Sequence, residues 1–148
     1  DMGADIRWEG SALVSRASRL HGLRVDCAQI PDLVPILAVA MAAAEGDSRI
    51  TGAARLRIKE SDRLSAMAAA LTAAGADAAE LPDGLAIRGG KTLHAAKIEG
   101  CNDHRIVMAM TIASALSDGE WTITDAEATA KSAPAFWQEF ERLGGLAR

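Results

Sequence analysis

The chain has 148 residues, 49% of them apolar, with 16 Lys and Arg against 20 Asp and Glu. That length can bury roughly 68–70% of the surface its unfolded form exposes, so a cored domain is expected, whereas a formal charge of -4 argues against a nucleic-acid or membrane-surface partner, which needs a basic field. No apolar run approaches a membrane span, the opening residues lack a basic–apolar–small signal pattern, and a cytoplasmic protein is expected, its core built from closely packed helices and aliphatic strands because there are only two Phe, three Trp and no Tyr.

Along the chain, Gly3-Ala4-Asp5 leads into two strand candidates, Ile6–Trp8 and Ala12–Ser15. Asp32 opens an apolar helical stretch that runs to Ala44 and is hydrophobic almost all round, as is Ile106–Leu116 within a second stretch, Asp103–Leu116. Such stretches belong to helices buried on most sides. Between them, Asp62–Ala74 carries Leu64, Met67, Ala68 and Leu71 at helical spacing and so has one buried stripe. Gly75 stops that helix, and Asp77–Leu81 and Leu85–Ile87 read as strands around the Pro82-Asp83-Gly84 turn. Ala135–Leu143 is the last helical pattern, closed by Gly144-Gly145.

The chain also resembles itself. Gly46-Asp47-Ser48-Arg49-Ile50-Thr51-Gly52-Ala53 matches Gly119-Glu120-Trp121-Thr122-Ile123-Thr124-Asp125-Ala126 at glycine, isoleucine, threonine and alanine, a period of about seventy residues. A helical stretch precedes each copy; a lysine, Lys59 or Lys131, and another helix follow it. The unit therefore reads strand–helix–strand–helix–strand–strand, a βαβαββ repeat. Residues 1–21 would hold the last two strands of one unit, 22–90 a complete unit and 91–148 an incomplete one. Such phasing is expected of part of a longer polypeptide. The fold class is α/β (α+β), helices packed against mixed sheets.

Cys27 and Cys101 have neither CxxC spacing nor paired histidines, and free buried thiols are expected. The informative feature is a broken local rule. Helix N-termini carry partial positive charge and favour acids in the first turn, yet Ser61-Asp62-Arg63, with Ser61 the expected cap, and Asn102-Asp103-His104-Arg105, capped by Asn or Asp, each place an arginine there. Asp62 and Asp103 could simply neutralise their neighbours on a solvated face. Against that, Arg55, Arg57, Lys59 and Arg63 form a basic island in an acidic chain, and Lys131 precedes the last helix as Lys59 precedes its counterpart. On one rim these helix starts would bring cations for a multiply charged anion together with three proton carriers, Asp32, Glu60 and His104. No P-loop, GxGxxG or metal-ligand pattern is present.

Four runs resemble one family, the enolpyruvyl transferases of the 5-enolpyruvylshikimate-3-phosphate synthase type. Arg57-Ile58-Lys59-Glu60-Ser61-Asp62-Arg63-Leu64 is similar to their Lys-Glu-Ser/Thr-Asp-Arg signature, and Asn102-Asp103-His104-Arg105-Ile106-Val107-Met108-Ala109 to their Asn-Asp-His-Arg helix start. Ile30-Pro31-Asp32 and Thr129-Ala130-Lys131-Ser132 match two further motifs in the right order. The resemblance implies a chain forming part of one lobe of such an enzyme, with three βαβαββ units per lobe. It further implies transfer of the enolpyruvyl group of phosphoenolpyruvate to the 5-hydroxyl of shikimate 3-phosphate without metal or cofactor.

By the same resemblance, Arg63 and Arg105 would grip the phosphoenolpyruvate carboxylate and Lys131 would face its phosphate. Asp32 would bind shikimate hydroxyls and help take the 5-hydroxyl proton, Glu60 would carry a proton to and from the methyl carbon beside His104, and Lys59 would touch the shikimate side. Ala133 departs from the aromatic residue usual before Pro134. The partner lobe's lysine, serines and arginines are absent, so the N-terminal lobe is an expected partner and the chain alone is expected to be inactive. A transferase acting on UDP-N-acetylglucosamine and a non-catalytic anion-binding module are the alternatives; the Lys-Glu-Ser-Asp-Arg run argues against the first, the trio Asp32, Glu60 and His104 against the second.

Overall fold

The computed structural model describes residues 1–147. It opens with a hairpin, β1 (Asp5–Glu9) and β2 (Ala12–Arg16), in which Trp8 lies opposite Leu13 and Ile6 opposite Ser15. Period-2 alternation gives the hairpin two unlike faces. On one, Arg7 pairs with Asp5 and Glu9; on the other, Ile6, Trp8 and Leu13 are each more than half exposed.

A four-stranded mixed sheet follows, in the order β3 (Arg24–Asp26), β4 (Asp47–Thr51), β6 (Gly84–Arg88), β5 (Asp77–Leu81). β3 runs parallel to β4 and the other neighbours are antiparallel. The inner row Ser48, Ile87, Ala78 and the pair Ile50, Leu85 face the helices, while Asp47, Arg49 and Arg88 point away into solvent. A short parallel pair, β7 (Lys97–Ile98) with β8 (Thr122–Ile123), forms a separate small sheet.

Three helices make the core with these sheets. α1 (Val34–Ala43) packs on α2 (Arg63–Ala73), on α3 (His104–Ser114) and on β4 and β6, and α2 covers β5. Gly75, at φ 90°, lets the chain leave α2 with the Ala76 N–H bonded to the Leu71 carbonyl, the left-handed stop that glycine alone adopts freely. As the composition requires, the buried core is aliphatic: Val34, Met41, Ile50, Leu56, Leu64, Met67, Leu71, Leu85, Ile106 and Met110 are all closed to solvent, and no Trp or Phe is among them. α1 and α3 are indeed central, but each keeps an open strip, at Ile36 and at Ile112.

Two corrections to the expected elements concern short segments. Asp32 sits in a 3-10 turn, Pro31–Leu33, that feeds α1, and similar turns at Ala54–Ile58 and Ala126–Lys131 follow β4 and β8. Lys131 thus ends such a turn rather than starting a helix; α4 (Phe136–Arg142) begins only at Phe136. Cys27 is fully buried, but Cys101 is only half-buried. Among the described residues no helix is long and apolar enough to cross a membrane.

Candidate functional site

The starts of α1, α2 and α3 meet because the three helices pack together above the sheet. Each start is locally determined. Asp62, not Ser61, caps α2, accepting from the Leu64 and Ser65 N–H groups, and Asp103 caps α3, accepting from the Arg105 N–H at 2.9 Å. These short side chains satisfy donors that a helix terminus leaves unpaired. Ser61 instead donates to Asp103 Oδ2 at 2.9 Å, tying the two helix starts together.

Arg63 is the hub. Its side chain is 2% exposed and its guanidinium meets three carboxylates. Nε and Nη2 donate to the two oxygens of Asp103 at 2.8 and 3.2 Å, a bidentate pair. Nη1 donates to Asp32 Oδ1 at 3.0 Å, and Nη2 also reaches Glu60 Oε2 at 2.5 Å. The anion that an arginine in a first turn called for is therefore supplied from within the chain. Asp103, fully buried, was legible in the sequence only as a cap; the signal that could have found it is the need of Arg63 for a buried counter-charge.

Asp32 spans both arginines. While Oδ1 accepts from Arg63, Oδ2 lies 3.5 Å from Arg105 Nη2, and the Asp32 carbonyl accepts from Arg105 Nη1 at 3.4 Å. Beside them His104 Nδ1 is buried, makes no hydrogen bond among the described residues and lies 3.6 Å from Glu60 Oε1. A sub-ångström approach would make that contact a proton-sharing one. Arg105 Nε is likewise buried and unbonded among the described residues. Burial alone would raise the Asp103 carboxyl, but hydrogen bonds from Arg63, the Arg105 N–H and Ser61, with the charge of Arg63, hold it below the usual aspartate range.

The structure divides the basic residues differently from the expected island. Arg57 turns away to Glu80, Asp62 and the Pro82 and Leu81 carbonyls, and Arg55 to the Ala28 carbonyl. Both brace loops. Lys59 is exposed and makes no side-chain hydrogen bond among the described residues, one position before Glu60. Lys131 is exposed and its ammonium bonds the Asn102 side-chain oxygen at 2.9 Å and the Asn102 carbonyl at 2.5 Å, placing it next to the start of α3.

Asp32, Glu60, Arg63, His104 and Arg105 thus form one cluster, with Asp103 behind it and Lys131 and Lys59 at its margins. A depression of about 220 Å³ opens beside it, lined by Asp32, Arg105, Pro35, Ile36, Met108 and Ile112. The larger hollow, about 470 Å³, lies on the outer sheet face among Arg24, Asp47, Arg49 and Arg88. It is an open trough between long side chains and contains none of the clustered residues.

Comparison with known proteins shows the family and the fold. The family model of EPSP synthase (3-phosphoshikimate 1-carboxyvinyltransferase) matches residues 1–140. The chain is 50% identical over 131 residues to the 3-phosphoshikimate 1-carboxyvinyltransferase of Clostridium acetobutylicum, covering 88% of this chain and 31% of that protein. It is 46% identical over 146 residues to that of Methanocella arvoryzae, covering 97% and 34%. Among solved structures, an EPSP synthase from Acinetobacter baumannii superposes with a TM-score of 0.81 at 34% identity, over 95% of this chain and 36% of that one. The enolpyruvyl transferase NikO from Streptomyces tendae, at 21% identity and a TM-score of 0.83 over 99% of this chain and 34% of that one, shares the fold. The chain spans about a third of the length of the curated relatives it matches.

Proposed function

The chain belongs to the EPSP synthase (3-phosphoshikimate 1-carboxyvinyltransferase) family, and on that premise we propose that it supplies the C-terminal part of a cytoplasmic enzyme of aromatic amino-acid biosynthesis. The enzyme joins the enolpyruvyl group of phosphoenolpyruvate to the 5-hydroxyl of shikimate 3-phosphate and releases phosphate. The observation that carries the reading is the meeting of Arg63 and Arg105 across the single carboxylate of Asp32, with Glu60 and His104 alongside. Two guanidiniums bridged by one carboxylate form a seat for another carboxylate.

The chemistry follows as addition and elimination. The 5-hydroxyl oxygen of shikimate 3-phosphate bonds to C2 of phosphoenolpyruvate while its proton passes to a base, for which Asp32 is the candidate. A proton from Glu60 reaches C3, turning the methylene into a methyl group and completing a tetrahedral intermediate. Phosphate then leaves C2 with the C–O electron pair and takes up the proton held by the base, and Glu60 takes a proton back from the methyl carbon to restore the double bond. Such proton transfers need carriers within reach of the reacting atoms.

The carboxylates that occupy Arg63 suggest how the site charges itself. Asp103 holds the Nε edge, whereas Asp32 and Glu60 take Nη1 and Nη2. An incoming carboxylate competes with Asp32 and Glu60 but not with the buried Asp103, and the two displaced groups become free to carry protons. Lys131 would then face the phosphate of phosphoenolpyruvate, Lys59 the shikimate side, and His104 would steady Glu60. In this reading residues 1–21, 22–90 and 91–148 are a partial, a whole and a second partial βαβαββ unit of one lobe. The N-terminal lobe would complete both substrate sites and exclude water on closure.

Phosphate release from both substrates tests the proposal. The isolated chain should release none above background, and the full-length polypeptide should turn over and lose nearly all activity on Glu60→Gln. No turnover by the full-length protein would overturn the proposed reaction; turnover by the chain alone would overturn the dependence on a second lobe.

A further inference from the structure

The turn entering α3 is strained. Gly100 to Asp103 closes with the Asp103 N–H donating to the Gly100 carbonyl at 3.0 Å, and both central residues are left-handed, Cys101 at φ 54° and Asn102 at φ 49°. Facing it, Asp125 is left-handed as well, at φ 56°. Asparagine and aspartate tolerate this region, cysteine much less, and such outliers persist only where their surroundings hold them. Here the holders form a closed circuit. The Asn102 N–H donates to Asp125 Oδ2 at 2.9 Å, and Thr124 Oγ1 lies 3.3 Å from the same oxygen. Asp125 immediately precedes the 3-10 turn whose last residue is Lys131, and Lys131 returns to both oxygens of Asn102.

We propose that Asp125 is a positioning residue for Lys131. Its carboxylate pins the Asn102 N–H, which fixes the peptide so that the Asn102 carbonyl and side-chain oxygen hold the Lys131 ammonium beside the start of α3. No other hydrogen bond to the Asn102 N–H exists among the described residues. Without Asp125 the strained turn loses its restraint, and the ammonium loses a fixed seat although every charge of the substrate cluster remains. This inference rests on the reading of Lys131 as the residue that faces the phosphate of phosphoenolpyruvate.

The discriminating variants are Asp125→Gly, which relaxes the backbone but removes the acceptor, and Asp125→Asn, which keeps an oxygen and tolerates a positive φ. In the full-length enzyme, Asp125→Gly should raise KM for phosphoenolpyruvate about tenfold, the scale of one lost charge-assisted hydrogen bond. KM for shikimate 3-phosphate should stay within about twofold and Tm close to wild type, and Asp125→Asn should restore most of the loss. An unchanged KM for phosphoenolpyruvate, or a rise in both KM values that tracks a falling Tm, would overturn the role. Acetylation of Lys131 by acetic anhydride, followed by mass spectrometry, judges the clamp apart from activity. Asp125→Gly should speed it several-fold, and equal rates would dismiss the clamp even if the wild-type enzyme proved to catalyse another reaction.

Discussion

Of the three carboxylates around Arg63, only Asp103 is closed to solvent, and a buried charge is tolerable only while its partner stays. Asp103→Ala should therefore cost about 3–5 kcal/mol, the range for breaking a buried pair, read as a lower urea midpoint. Asp32→Ala and Glu60→Ala, whose side chains are 48% and 38% exposed, should cost far less stability. The same carboxylate sets a pH dependence. Its folded pKa lies below the ordinary aspartate value, so its contribution is complete above that ordinary range and disappears as pH falls through the depressed folded value. Asp103→Asn should flatten the acid side of the urea midpoint against pH; an acid limb as steep as wild type would place the linkage elsewhere. At this scale the sequence exposed the anomaly, an arginine in a first turn, and led to an expected external anion. It could not show that Asp103, forty positions away, already answers part of that need, because only the α2–α3 packing brings the two together.

Among the elements, long and periodic ones were legible and short ones were not. Apolar patterning located α2 and α3 to within two residues of their observed ends, and the Gly75 stop with the Pro82-Asp83-Gly84 turn gave β5 its observed limits, since such signals are written locally. β3 has a single apolar residue, Val25, and β7 has two residues in all. Neither offers a period to read, and both exist because neighbouring strands complete their hydrogen bonds. The 3-10 turns lack periodicity too, so the sequence pattern assigns Lys131 to a helix start. Gly100 tests how closely these short segments must meet. A Cβ there would lie 2.2 Å from the Thr124 carbonyl oxygen and 2.9 Å from a Val107 methyl, and backbone cannot yield as a flexible side chain can. Gly100→Ala should destabilise by about 1–3 kcal/mol, the scale of overpacking, visible as a lower melting temperature. It should also weaken phosphoenolpyruvate binding, because it displaces the turn that carries Asn102. A melt identical to wild type would show that β7 and β8 can part without cost.

For the molecule as a whole, the question is what stability the chain has by itself. The buried core is continuous from α1 through α3 to the inner face of the four-stranded sheet, so the central unit should remain folded without a partner. The hairpin differs, since among the described residues β1 and β2 pair only with each other and Ile6, Trp8 and Leu13 are 55%, 71% and 57% exposed. Three large apolar side chains on one face, opposite a face laced by Arg7, Asp5 and Glu9, are the pattern of a sheet surface that packs in a larger assembly. The relatives are about three times as long, and if this chain is the C-terminal part proposed above, a supplied N-terminal segment should cover this face. Trp8 reports on it directly, because Trp121 and Trp137 are partly buried with their indole N–H groups bonded to Ser117 Oγ and the Ala126 carbonyl. In the chain alone Trp8 should be readily quenched by acrylamide; on mixing with the N-terminal segment, quenching should fall as phosphate-releasing activity returns. Trp8→Lys should leave the chain's own melting temperature unchanged, since that side chain contributes little burial, and abolish both responses. If activity returned while Trp8 stayed fully quenchable, the added segment would be meeting this chain elsewhere, and the hairpin's apolar face would have no part in completing the site.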